Sequence, residues 1–441
     1  MQLILLSGGS GKRLWPLSNS SRSKQFLRLL TSPDGSPESM IQRVVRQLRD
    51  AGIGKNLTIA TSASQRDAII AQLGRNVRIV TEPERRDTFP AIALATEYLG
   101  REVGVDDDEI VVVMPCDPYT ESGYFDAVME MCRAVGNDMA DLMLMGVRPT
   151  GPSTKYGYLV PSSDNPNLLE SFTEKPDSGH AERLLASGAV WNGGVFAFRL
   201  GFIRRITRRY LTAETFEDFR KRYAELPKIS FDYEVAERTS SIGVIYYSGL
   251  WEDLGTWDML SVEMEGSTVG RAVQKDSSGT TVINELNIPV LCHSTRNLIV
   301  AASPDGILVA DKDSTDRIKD AVGEVETRPM FEERRWGVYK VIGTEKFSDG
   351  YSILTKQLTL KPGCSISYQK HTHRDEVWTF VDGQGEIVIN GVRDKVERGD
   401  TVTIPKGSLH ALRAVTPLTF IEVQRGTVLI EEDIERFDYE W

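Results

Sequence analysis

At 441 residues the chain is too long for one ordinary domain and long enough for two or three buried cores. Its apolar fraction of 40% and charged fraction of 26% are those of a globular chain, and no apolar run reaches the length of a membrane helix. A net charge of −11 argues against a general nucleic-acid or anionic-membrane surface, and four scattered cysteines (Cys116, Cys132, Cys292, Cys364) indicate neither a disulfide framework nor a cysteine zinc site.

Leu3-Ile4-Leu5-Leu6 reads as a buried parallel strand, too short to span a membrane and unlike a signal peptide, so the cytoplasm is the expected compartment. It runs into Ser7-Gly8-Gly9-Ser10-Gly11-Lys12-Arg13-Leu14-Trp15-Pro16-Leu17, with Arg22-Ser23-Lys24-Gln25-Phe26 just beyond. Glycines let backbone N–H groups approach an anion, and Lys12, Arg13 and Lys24 would neutralise it, which points to a phosphate-bearing ligand. The loop is not a Walker loop, because Leu6 stands where the first glycine belongs. Nor is it a dinucleotide fingerprint, because Leu14 fills the third glycine position. A plain glycine turn with solvated cations is the alternative.

Ser39–Asp50 has helical spacing and ends before Gly52. Leu57–Ala60 and Val77–Val80 read as strands flanking a helix over Gln65–Leu73; Ala91–Leu99 is helical and Glu109–Met114 is a fully buried strand. The alternation predicts a mainly parallel sheet with helices on both faces, whose ligands lie beyond the carboxyl ends of the strands. The glycine loop and Pro115-Cys116-Asp117-Pro118-Tyr119 both hold that position. Asp117 is placed to hold a metal on a bound triphosphate, or else only makes an Asp-Pro turn. In Glu82-Pro83-Glu84-Arg85-Arg86-Asp87-Thr88-Phe89-Pro90-Ala91, Thr88 would cap a helix and Pro90 suits its first turn. Tyr156-Gly157-Tyr158, Phe172-Thr173-Glu174-Lys175-Pro176, Trp191-Asn192-Gly193-Gly194, Phe231-Asp232-Tyr233-Glu234 and Trp251-Glu252-Asp253-Leu254-Gly255 follow. If the Glu174-Lys175 piece is extended, its two side chains project to opposite sides and meet one ligand only if it wraps the turn.

The opening loop resembles the signature of sugar-1-phosphate nucleotidyltransferases, Gly-Gly-x-Gly-x-Arg-Leu-x-Pro-Leu followed by a lysine. Leu-Trp-Pro-Leu-Ser and Lys-Gln-Phe are most similar to the mannose-1-phosphate guanylyltransferase branch. The resemblance covers nearly the whole chain. It implies an α/β architecture: a Rossmann-like nucleotidyltransferase (GT-A-like) domain over 1–265, a small β-rich connector over 266–330 and a C-terminal cupin β-barrel (jelly roll) over 331–441. The implied reaction makes GDP-mannose and pyrophosphate from GTP and mannose 1-phosphate. By the same resemblance Gly8, Gly9, Gly11, Arg13 and Lys24 serve the nucleotide triphosphate, Asp117 and Asp253 hold Mg²⁺, and Lys175 holds the incoming phosphate. Gly157, Glu174, Asn192 and Gly193 meet the sugar, while Glu82, Asp87 and Thr88 fall in the family's segment beside the base. Asp87 stands for the usual asparagine, yet an aspartate accepts hydrogen bonds from guanine N1–H and its N2 amino group. Two carboxylates from different strand ends converging on one hard cation would be costly unless the metal or substrate were there. Phe89, Pro118, Lys12 and Ser23 also depart from the family pattern and leave another base or sugar 1-phosphate open. A binding protein without turnover is disfavoured by intact Arg13, Lys24, Asp117 and Asp253.

Residues 270–325 are short apolar strands with polar breaks, leading through Asp311-Lys312-Asp313 into a short helix, and carry no evident chemistry. From Trp336 onward the pattern is β only, with turns at Pro362-Gly363, Asp382-Gly383, Asn390-Gly391 and Arg398-Gly399-Asp400. Gln369-Lys370-His371-Thr372-His373-Arg374-Asp375-Glu376 and Gly399–His410 resemble the two cupin motifs. Histidines two apart on a strand share a face, so His371 and His373 are expected to join Glu376 and His410 around a divalent transition metal or zinc, with Gln369 in reserve. Bifunctional relatives carry a phosphomannose isomerase of this kind. The usual His-His-His-Arg-x-Glu-His run is altered here, so a structural or dimerising cupin stands slightly ahead of an active isomerase, and a homodimer is the expected assembly.

Overall fold

Leu3, Ile4 and Leu5 are fully buried, as expected of a strand covered on both faces, and β1 (Gln2–Ser7) lies inside a nine-stranded sheet. The computed structural model describes residues 1–9, 12–19, 21–264, 266–325 and 328–441. By internal contacts the chain forms two compact units. One comprises Met1–Ser10, Ser23–Arg66 and Asn76–Glu265; the other comprises Gly11–Arg22, Asp67–Arg75 and Gly266–Trp441.

In the first unit β1 pairs in parallel with β2 (Leu57–Ser62) and β4 (Ile110–Pro115), and β2 pairs in parallel with β3 (Arg78–Glu82). Helix α1 (Met40–Asp50) starts on a capping box, with the Ser39 side chain accepting from Gln42 N and the Gln42 side chain from Ser39 N. Helix α2 (Thr88–Tyr98) is buried along nearly its whole length, which suits its Ala-rich sequence. The parallel order then breaks. β5 (Pro118–Thr120) leaves the sheet, β6 (Leu142–Val147) rejoins it, and β7 (Tyr158–Pro161) pairs antiparallel with β8 (Leu169–Thr173). β9 (Val190–Arg199) runs antiparallel to β4, β6 and β7, and β10 (Ile242–Tyr247) is parallel to β6. The sheet is therefore mixed, not mainly parallel, because a ten-residue β9 is inserted between strands that would otherwise share a direction. The core under it unites Ile4, Phe89, Val113, Leu144, Phe196, Phe198 and Phe231.

In the second unit, Thr268–Gly270, Thr281–Asn284 and Leu298–Ser303 stack in parallel and Gly306–Asp311 closes the set antiparallel. A helix over Ile318–Val325 follows. Two antiparallel sheets, of six and five strands, then fill Phe331–Phe437 and enclose a core of Tyr339, Leu358, Trp378, Phe380, Ile387, Leu412 and Phe420. Lys12–Arg22 belongs to this unit: Ser303 Oγ donates to Pro16 O (2.6 Å), Asn19 Nδ2 to Asp305 Oδ2 (2.7 Å), and Arg22 forks onto both Glu285 oxygens (2.7 and 2.9 Å). Among the described residues no helix is long and apolar enough to cross a membrane.

Candidate active site

The carboxyl end of β1 is pinned before it turns. Thr61 Oγ1 donates to Ser7 O (2.8 Å), and the Gly9 carbonyl accepts from both Ser23 Oγ and Gln65 Nε2 (2.9 Å each). Ser23, one of the departures from the family pattern, is thus a fastener for the loop, and Gln65 is a partner that periodicity alone does not reveal. Lys24 follows on a single 3-10 turn. β5 pairs antiparallel with β11 (Trp251–Asp253), setting Asp253 opposite Pro118, so Asp117 and Asp253 come together from positions far apart in the chain. Both carboxylates converge on the Lys24 ammonium: Nζ is 2.8 Å from Asp117 Oδ2 and 2.9 Å from Asp253 Oδ1. Lys24 sits between the two and offsets their mutual repulsion. Burial works against the charged ammonium, but Asp117 and Asp253 more than offset it and hold the Lys24 pKa above the ordinary lysine value. Cys116, beside them, is driven the other way: burial, then the Asp117 charge, pushes its thiol up to about 12, which makes it a poor nucleophile.

A second cluster forms at β8 and β9. Lys175 has φ +45°, the left-handed region, and Nζ donates to Glu174 Oε1 at 2.7 Å. The segment is therefore not extended, and the two side chains that would have parted meet on one side. Glu174 is buried against Gly157, where an added Cβ would lie 2.5 Å from Glu174 Oε2. The register of β9 slips between Asn192 and Phe196, where Gly193 and Gly194 sit. A Cβ on Gly193 would meet Val147 at 2.9 Å, and Gly194 takes φ +70°. Asn192 Nδ2 donates to Asp232 Oδ1 at 2.8 Å. Burial and then the neighbouring Glu174 charge raise Asp232 to about 7, against the pull of Lys175.

Glu82 lies by Gly8, its Oε2 3.7 Å from where a Cβ on that glycine would be, and its Oε1 accepts from Tyr223 Oη (2.6 Å). Burial raises its pKa. Asp87, not Thr88, caps α2: its Oδ1 accepts from Thr88 N (2.7 Å), while Thr88 Oγ1 accepts from Phe231 N (2.8 Å). Asp87 is exposed and takes φ 76°, a strained setting for a residue with a side chain. Arg13 is exposed on the turn Lys12–Leu14 of the second unit, and Gly11 lies outside the described residues.

In the C-terminal barrel, Gln369 pairs with His410 across neighbouring strands, and ligand atoms of His371, Glu376 and His410 lie within 4.8 Å of one another. His373 does not join them. The strand Tyr368–Lys370 ends before it, so the two-residue alternation fails; His373 is exposed, and its backbone N–H donates to Asp433 Oδ2. Each remaining imidazole is oriented through Nδ1, His371 on Asp433 O (2.6 Å) and His410 on Ser408 O (3.0 Å). That turns both Nε2 atoms toward Glu376, and His371 Nε2 lies 3.1 Å from its Oε1. His410 Nε2 is buried without a hydrogen-bond partner, 3.6 Å from Glu376 Oε2. Burial lowers the pKa of both histidines, favouring the neutral, metal-binding form. These donors fit a divalent cation. Against it stands Arg374, wholly buried, with Nε on Glu376 Oε1 (2.9 Å) and Nη2 by His371 Nε2 (3.3 Å). The adjoining cavity of about 150 Å³ is lined by Lys356, Arg374, Glu376, Glu422 and Glu431 among others. Burial and the nearby Glu376 raise Glu422 to about 7, whereas Lys356 overcomes burial and holds Glu431 down to about 2.

Comparison with known proteins matches residues 2–267 to the nucleotidyl transferase family and residues 325–439 to the mannose-6-phosphate isomerase C-terminal family. The xanthan biosynthesis protein XanB of Xanthomonas campestris is 32% identical over 473 residues, covering 99% of this chain and 97% of the relative. The mannose-1-phosphate guanylyltransferase of Klebsiella pneumoniae is 29% identical over 486 residues, covering 98% of each chain. A solved structure from Thermus thermophilus, named a mannose-1-phosphate geranyltransferase, is similar with a TM-score of 0.61 at 28% identity, covering 74% of this chain and 99% of that one.

Proposed function

The chain belongs to the nucleotidyl transferase family and is an enzyme of that class, and on this premise we propose that it joins GTP to mannose 1-phosphate, forming GDP-mannose and pyrophosphate. The observation that carries the reading is the convergence of Asp117 and Asp253 on the Lys24 ammonium beyond the carboxyl ends of the sheet strands. A site that gathers two carboxylates round one cation suits a metal-bound triphosphate, since hard divalent cations take one or two carboxylates plus phosphate oxygens. Asp117 and Asp253 would hold Mg²⁺, which when bound neutralises charge on the reacting phosphates.

A sugar-phosphate oxygen attacks the α-phosphorus in line and the bond to pyrophosphate breaks, with the leaving group taking the electron pair. The nucleophile already carries negative charge, so no residue need remove a proton. The chain's part is orientation and charge neutralisation. Lys24, freed from the carboxylates, turns to the triphosphate, together with Gly8 and Gly9. Arg13 and Gly11 are assigned there by resemblance. Lys175 leaves Glu174 for the incoming phosphate, and Glu174, Asn192, Gly157 and Gly193 read the sugar. Glu82, Asp87 and Thr88 are assigned to the base. The name of the Xanthomonas relative supports a role in polysaccharide biosynthesis. A pyrophosphate-release assay with four nucleoside triphosphates and several hexose 1-phosphates tests the reading. We expect GTP with mannose 1-phosphate to be the best pair; a preference for UTP or CTP would overturn the guanylyl assignment.

A second reading concerns the barrel. The unpartnered His410 Nε2 favours a divalent transition metal or zinc on His371, Glu376 and His410, and with it isomerisation between fructose 6-phosphate and mannose 6-phosphate. If no mannose 6-phosphate forms from fructose 6-phosphate with any added divalent metal, this activity is excluded.

A further inference from the structure

The segment Phe231-Asp232-Tyr233-Glu234 has no role in the reaction as derived so far, yet it supplies the polar neighbour of the sugar-side cluster. Asp232 sits on the single-turn helix Phe231–Glu234, capped by Ser230, which donates nothing to catalysis but fixes the carboxylate in place. Its Oδ1 accepts from Asn192 Nδ2 at 2.8 Å. The other end of the same amide is also taken: Asn192 Oδ1 accepts from Gly194 N at 3.0 Å, where Gly194 is held at φ +70° inside the β9 bulge. The two contacts have opposite polarity, so the amide has only one orientation that satisfies both. Asn192 is itself buried, and misorienting it would set its carbonyl against the Asp232 carboxylate. With the amide so fixed, one N–H remains. Glu174 and Lys175 border Asp232 from the turn after β8, and Glu237 Oε1 anchors that turn by accepting from Glu174 N (3.0 Å).

We propose that Asp232 is a positioning residue of the sugar subsite: it fixes the Asn192 amide so that its free N–H donates to a ring hydroxyl of the hexose 1-phosphate. The inference rests on the sugar-side reading of Asn192 given above. Asp232 acts through its acceptor oxygen, so an amide in its place would serve, whereas a methyl group would not. Removing the acceptor leaves the Asn192 amide free to turn its carbonyl inward, and a hydroxyl that had met a donor then meets an acceptor.

The test compares wild type, Asp232→Ala and Asp232→Asn by steady-state kinetics with the best sugar 1-phosphate found in the panel above. Asp232→Ala should raise KM for the sugar phosphate about tenfold, the size of one lost buried hydrogen bond. KM for GTP should stay at the wild-type value, and Asp232→Asn should restore most of the loss. Should Asp232→Ala fail to fold by circular dichroism, Asp232→Ser, too short to reach Asn192, takes its place. An unchanged sugar KM in the alanine or serine variant, or an asparagine variant as impaired as alanine, would overturn the inference and leave the guanylyltransferase reading standing. A wild type that turns over no sugar 1-phosphate would overturn both.

Discussion

Two regions of this molecule gather carboxylates around a cation, and they do so in opposite ways. In the first, Lys24 reaches Asp117 and Asp253 with side chains still 15%, 32% and 35% exposed. In the second, Arg374 grips Glu376 with both side chains almost wholly buried, its Nη1 further tied to Ile430 O (3.0 Å). A lysine is a point charge on a flexible stem and can leave two half-exposed carboxylates to other cations. An arginine fork tied to one carboxylate oxygen and a carbonyl stays in place, and leaves an incoming metal only the far oxygen of Glu376 beside the imidazoles. The first arrangement is suited to exchange and therefore to turnover. The second is a structural ion pair in which only His410 Nε2 lacks a hydrogen-bond partner among the side chains of the cluster.

The contrast breaks most visibly by removing the cations. Lys24→Ala should cut the rate of pyrophosphate release about 10²–10³-fold, the cost of losing one preorganised charge at the reacting phosphates. The melting temperature should move little, because Asp117 and Asp253 can turn to solvent. Glu376→Ala should do the reverse. It leaves Arg374 buried without its partner, a loss of about 3–5 kcal/mol, and calorimetry should show a drop of several degrees in the transition that reports the barrel. A Glu376→Ala protein that melts like wild type would refute the structural reading of that pair. Smaller still is the effect of metal on the barrel. Zn²⁺ or Mn²⁺ at a hundredfold excess over its Kd should add about 2.7 kcal/mol of stability, and His410→Ala should abolish the gain. The weakest effect concerns Asp232. A carboxyl raised to about 7 in the folded chain loses stability as pH rises from its unfolded value near 4 and reaches its full penalty above 7. Asp232→Asn should therefore match wild type in melting temperature at pH 4 and exceed it at pH 8; equal melting temperatures at both would contradict the shift.

Which of these features were legible beforehand follows from how local their causes are. The opening strand, the helix over Ser39–Asp50 and the alternation of the first half were readable because each rests on residues within a few positions of one another. The pairing of Asp117 with Asp253 was expected from resemblance, but its physical agent, the ribbon Pro118–Thr120 against Trp251–Asp253, joins segments too short to show a period. The left-handed turn at Lys175, and so the side on which it meets Glu174, went unseen because a lysine carries no mark of positive φ. His373 misled for the opposite reason: the two-residue rule was sound, but the strand it needs ends at Lys370. Gln65 and Asp232 matter through partners at a distance in the fold, and no spacing in the chain announces them.

The most direct test of the central claim is the rate of GDP-mannose formation from GTP and mannose 1-phosphate by Asp253→Asn, read beside its melting temperature. A rate down about 10²-fold or more with an unchanged melting temperature is the result expected of an acidic pair that serves the reacting phosphates. A variant that keeps its turnover, or that loses it only by unfolding, would contradict the account.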